Sequence, residues 1–117
     1  MKRMSLFGML LLLVSVSTDG QHRVSTTTGN SLLETCSSVG KADELFCLGY
    51  IGGVADVDGL EGATFPERQR SCVPDNVSNG QLMDVVVKYL KEHPEERHML
   101  AAILIVEALT KAFPCKR

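Results

Sequence analysis

The stretch SNGQLMDVVVKYLKE, residues 78–92, decides the fold class. Its centre, Val85–Val86–Val87, is a β-branched run that would suit a strand. The residues around it argue otherwise. Ser78 followed three positions later by Gln81 is a capping box, in which each side chain satisfies a backbone amide of the other. Leu82, Val85, Val86, Tyr89 and Leu90 then recur at helical spacing, with Asp84, Lys88, Lys91 and Glu92 off the stripe. Asp84–Lys88 and Lys88–Glu92 are i, i+4 charge pairs. The reading is an amphipathic helix.

Downstream, Pro94 suits the first position of a further helix, with Glu95 and Glu96 in the first turn, where the helix dipole favours negative charge. From Met99 to Val106 nearly every residue is apolar, so this segment is expected to be buried all round, by the other helices and by a second copy of the chain. Phe113 and Pro114 end it and Cys115 pins it. Upstream, Asp58–Val77 has no period and contains Gly59, Gly62, Pro66 and Pro74, which reads as a long loop held by Cys72. Asp43 to about Val57 is a helix with an apolar face and three glycines, Gly49, Gly52 and Gly53. Each costs about 1 kcal/mol against Ala in a helix interior. Close packing is the usual compensation, so Gly49 and Gly53, one turn apart, are expected at a contact with another helix or with another protomer. Asn30–Val39 is a short helix capped by Asn30 and ended by Gly40. The Ser/Thr-rich residues 18–29 read as a disordered lead-in.

The N-terminus reads as a signal peptide over residues 1–17. Lys2 and Arg3 precede the apolar run Leu6–Val14, which is too short to span a bilayer, and Ser15 and Ser17 offer a cleavage site. The expected product is exported, with no stable membrane anchor. Without the leader the chain keeps 10 basic and 14 acidic side chains, an acidic balance that argues against nucleic acid as a partner. Cys36, Cys47, Cys72 and Cys115 form an even set behind an export signal, which reads as two disulfides. In a helical hairpin, positions equidistant from the turn face each other. Cys36 and Cys47 flank the turn at residues 40–43, and Cys72 and Cys115 flank His93–Pro94. The pairing 36–47 with 72–115 is therefore favoured, and 36–115 with 47–72 stays open.

Oxidised cysteines leave no thiolate for catalysis. His93 and His98 are five residues apart, about 140° around a helix, not the four that a zinc-protease helix needs. No phosphate loop or nucleophile elbow is visible. The residues describe an all-α domain of four to five helices stapled by two disulfides, with no catalytic or metal site and no cofactor expected: a binding protein rather than an enzyme.

Four segments resemble one family: FCLGYIGGVAD (Phe46–Asp56), CVP (Cys72–Pro74), QLMDVVVKYLKEHPEERH (Gln81–His98) and FPC (Phe113–Cys115). In this order and spacing they resemble the periplasmic immunity proteins of type VI secretion amidase effectors, also called resistance-associated proteins. The likeness runs from about Leu32 to Cys115, within an expected domain of residues 30–117. It implies a compact helical fold, often a homodimer, that binds a cognate peptidoglycan amidase and blocks its cleft. The alternative is a periplasmic stress-responsive protein or holdase with the same domain and no amidase partner. No motif assigns the contacts. The charged junction supplies the candidates by exposure and chemistry: Glu92, His93, Glu95, Glu96 and Arg97, held stiff by Pro94, with Asp58–Val77 next.

Overall fold

A computed structural model describes residues 25–116; the leader, the cleavage site and residues 18–24 lie outside that range. The domain is all-α: α1 (Gly29–Ser37), α2 (Lys41–Thr64), a 3-10 turn (Pro66–Arg68), α3 (Asn79–Glu92) and α4 (Ala101–Ala112). Every α-helix packs on every other. One cluster fills the centre: Leu32 of α1, Cys47 and Ile51 of α2, Leu82, Val86, Tyr89 and Leu90 of α3, and Ala101, Leu104, Ile105, Ala108 and Leu109 of α4. Each large aliphatic side chain so buried contributes about 1.5–3 kcal/mol.

The capping box of α3 is present as read. The Gln81 amide donates to Ser78 Oγ at 3.2 Å, and the Ser78 amide to Gln81 Oε1 at 2.8 Å. α1 carries a second box, two residues ahead of the expected Asn30: the Ser31 amide donates to Thr28 Oγ1 at 3.3 Å and the Thr28 amide to Ser31 Oγ at 3.0 Å. Disulfides join Cys36 to Cys47 and Cys72 to Cys115, the pairing favoured by turn symmetry. The first ties α1 to α2. The second holds the segment before α3 against the end of α4, where the Cys72 amide also donates to the Phe113 carbonyl at 2.8 Å.

Three segments differ from the sequence reading. First, α2 does not stop near Val57 but runs on to Thr64 through Asp58, Gly59 and Gly62. The buried Asp58 carboxylate accepts from the amides of Arg70 and Ser71, each at 3.0 Å, and from Ser71 Oγ at 2.7 Å. The chain after the 3-10 turn thus folds back onto the helix. Gly62 gives it room: a Cβ there would sit 2.5–2.6 Å from the Gln69 side chain. The glycine that reads as a breaker is a packing site.

Second, α4 begins at Ala101, not at Pro94. Residues 94–98 form turns, closed by Glu96 N–H to His93 O at 3.1 Å and Met99 N–H to Glu96 O at 2.9 Å. The carbonyls of Arg97 and Met99, which a helix would use internally, accept instead from the amides of Asn30 (2.8 Å) and Gly29 (3.0 Å), and the Ala101 amide donates to Thr27 O at 2.8 Å. Residues 25–29, read as part of a disordered lead-in, therefore form an arm bonded along this connection. Third, Met99–Val106 is not enclosed within one chain: Ile103 is 45% exposed, and Ala102 and Val106 are half-buried.

Candidate functional site

The connection between α3 and α4, residues 93–100, carries most of the contact candidates. Its shape is set by Tyr89, on the last turn of α3. Tyr89 is only 6% exposed. Its hydroxyl donates to Glu96 Oε2 at 2.6 Å and reaches Glu107 Oε2 of α4 at 3.1 Å. Lys111 Nζ lies 4.8 Å from the ring centroid and 3.5 Å from the hydroxyl, which offsets the two carboxylates. Burial, then the hydrogen bonds to Glu96 and Glu107, push the phenol well above its ordinary pKa, so it stays a donor throughout the physiological range.

The structure divides the five candidates into two sets. Glu92 and Glu95 are exposed. Glu92 lies 4.0 Å from Lys88 in a solvent-facing pair that contributes little to stability. His93, Glu96 and Arg97 are half-buried. His93 stacks on Tyr89 at 4.0 Å between centroids, with Nδ1–H donating to the Tyr89 carbonyl at 2.8 Å. Glu96 is tied to the phenol. Arg97 is fixed through its backbone, and its Nε is buried without a hydrogen-bond partner among the described residues. The acidic face of the junction is thus Glu92 and Glu95, with Glu96 turned inward.

A second feature lies between α2 and α4. Gly49 and Gly53 meet no other helix of their own chain, since a Cβ at either position would have nothing within 4 Å. They open onto a groove of about 980 Å³ lined also by Tyr50, Val54, Val57, Ala102, Ile103 and Val106. Phe46 and Leu60, exposed on the same helix, extend its apolar surround. Ser25 and Tyr50, whose hydroxyls are 3.0 Å apart, stand at the groove, as do Asp58, Glu61 and Arg70. The segment from Arg70 to Val77, held by Asp58 and by the second disulfide, borders a smaller polar hollow that includes Asp56, Asp75 and Asn79.

These surfaces offer recognition by shape and charge. All four cysteines are paired, and among the described residues no cluster of three or more His, Cys, Asp or Glu could hold a metal ion. Sequence reasoning singled out the junction and the glycine pair as candidates for contact. It missed Tyr89, which reads only as a stripe residue, and Asp58, which reads as a loop polar residue. The one signal for Asp58 was its helical register with Val54 and Gly62, hidden by the glycines around it.

A model of the family described as Rap1a immunity proteins matches residues 28–115, three quarters of the chain. The matched span begins at the capping Thr28 and ends at Cys115, so it takes in all four helices and both disulfides. No curated protein and no solved structure matches the chain.

Proposed function

We propose, on the premise that this chain belongs to the Rap1a immunity protein family, that it binds and inhibits a cognate type VI peptidoglycan amidase in the periplasm and so protects the cell that makes it. Membership carries the coarser part: the family provides immunity to type VI effectors, which means binding an effector rather than turning over a substrate. The finer part, an amidase met after export, rests on the resemblance of Phe46–Asp56, Cys72–Pro74, Gln81–His98 and Phe113–Cys115 and on the leader pattern of residues 1–17.

Glu92 and Glu95 supply an acidic rim suited to the basic or imidazole groups of an amidase cleft. Glu92 ends α3, and the connection that bears Glu95 loses little freedom on docking, because both of its sides are already bonded to the domain. The groove at Gly49 and Gly53 is the surface for a second copy of the chain. Its two helices offer small residues and exposed aliphatic ones, the combination that allows close helix approach with apolar burial. Gly53→Leu tests this: a Cβ there has nothing within 4 Å in its own chain, and the larger side chain should weaken the dimer. A monomer by light scattering for wild type at high concentration would remove the dimer from the proposal.

The direct test is co-expression, in the periplasm, of this protein with a type VI amidase effector of the same organism, sought first among the neighbouring genes. Protection from lysis by wild type is the expected result. Equal lysis with and without the protein would refute the reading and favour a holdase, for which the open apolar groove is the relevant surface. Protection that survives replacement of both Glu92 and Glu95 by Ala would move the contact to the Arg70–Val77 segment.

A further inference from the structure

We propose that Tyr89 is the positioning residue of the effector-binding junction, holding His93–Glu96 in one conformation through a hydroxyl that never meets the partner. The proposal rests on the immunity reading and deepens it.

The connection is held in two halves by different means. Its second half is sewn to the N-terminal arm by backbone bonds from Gly29, Asn30 and Ala101. No such bond reaches residues 93–96. Beyond its own turn bonds, Glu96 N–H to His93 O and Met99 N–H to Glu96 O, that half is tied to the domain at Tyr89, through the stack with His93, the His93 amide and Nδ1–H bonds to the Tyr89 carbonyl and the phenol bond to Glu96. Tyr89 is in turn fixed from α4 by Glu107 and Lys111, so the hydroxyl joins α3, the connection and α4 at one point. With Glu96 drawn inward, its neighbour Glu95 is left exposed on the turn. Freeing Glu96 would let the turn sample other shapes, and the binding surface would have to be ordered at the moment of docking.

The hydroxyl can be tested apart from the ring. Tyr89→Phe keeps the stack and the cation–π contact and removes only the hydroxyl's contacts with Glu96, Glu107 and Lys111. Glu96→Ala removes the acceptor at a less buried site, which guards against a folding failure at position 89. Glu96→Gln keeps an acceptor and should rescue. The first readout is amide hydrogen exchange in the free mature protein. Tyr89→Phe and Glu96→Ala should each speed exchange of the Glu96 and Met99 amides about 10-fold or more. Those of Gly29 and Asn30, which bond the other half, should stay as in wild type; a general loss of stability would move all four. The second readout is affinity for a purified type VI amidase effector of the same organism. We expect about 5- to 10-fold weaker binding for both variants, no further loss when they are combined, and near-wild-type binding for Glu96→Gln. Unchanged exchange at Glu96 and Met99 would overturn the inference. So would faster exchange with unchanged affinity, since the ordered turn would then have no bearing on binding. If wild type itself fails to bind, the immunity reading falls, and exchange alone then decides whether Tyr89 holds the junction.

Discussion

Replacing Gly29 by Ala should destabilise the domain, although Ala is by far the better helix former. Gly29 is the first residue of α1 and is buried. A Cβ there would lie 2.5 Å from Leu104 Cδ1 and 3.0 Å from both Cα and O of Arg97. Leu104 is fully buried, so its Cδ1 can give way only by displacing core neighbours, and the Arg97 atoms are backbone. The arm must therefore move off the connection. Overpacking of this kind costs about 1–3 kcal/mol. The bonds from Gly29 to Met99 O and from Asn30 to Arg97 O, each contributing about 0.5–1.5 kcal/mol, would be stretched. The propensity gain of up to about 1 kcal/mol opposes this only weakly, because the first helical position has little of the interior's constraint. We expect a net loss of about 2 kcal/mol, or roughly 8–16 °C in the melting temperature of a domain this size. Thermal unfolding of the oxidised mature protein, followed by far-UV circular dichroism, is the assay. Gly59→Ala is the control: it is exposed in α2 with nothing within 4 Å and should gain up to about 1 kcal/mol. A Gly29→Ala melting temperature at or above wild type would refute the close contact between arm and connection.

Asp58→Ala should lower the urea-unfolding free energy by about 3 kcal/mol or more, because it strands the buried Ser71 amide and hydroxyl; Asn at that position should recover part of the loss, and a cost under about 1 kcal/mol would contradict the assigned role. The two disulfides close loops of sequence separation 11 and 43, for which chain entropy predicts about 3 and 4 kcal/mol. Since the loops do not overlap, replacing both Cys pairs by Ala should cost close to the sum in denaturant titrations, and a negligible cost for either would contradict the estimate. Tyr89 has a phenol raised in the folded state above its unfolded value of about 10. Its contribution is therefore complete below about pH 10 and is lost as the pH rises further. In a Tyr50→Phe background, phenolate absorbance should appear only as the helical signal collapses; ionisation of a still-folded chain near pH 10 would show that the hydroxyl is not held.

The amino-acid sequence by itself determined the helices whose signals are local. The Ser78/Gln81 box and the stripe from Leu82 to Leu90 outweigh the triple valine, because capping and side-chain period act within one turn of the chain. Turn symmetry favoured the cysteine pairing that the structure contains, although the connections fall at residues 38–40 and 93–100 and neither pair is equidistant from its own; helix packing brings the partners together. Tertiary structure decided the rest, wherever a backbone group had a choice of partners. Pro94, Glu95 and Glu96 are sound helix starters, yet the Arg97 and Met99 carbonyls bond to the arm at Gly29 and Asn30, and α4 waits until Ala101. Gly59 and Gly62 look like breakers, yet α2 passes through them because Asp58 and Gly62 receive the returning segment at Gln69–Ser71. The glycine pair at 49 and 53 was legible as unusual, but its direction was not: helical register places two residues on one face without saying what that face meets. Tyr89 shows the same limit at the connection between α3 and α4. A tyrosine on an apolar stripe is a core residue by pattern, and only the approach of Glu96 and Glu107 from two other segments gives its hydroxyl something to hold.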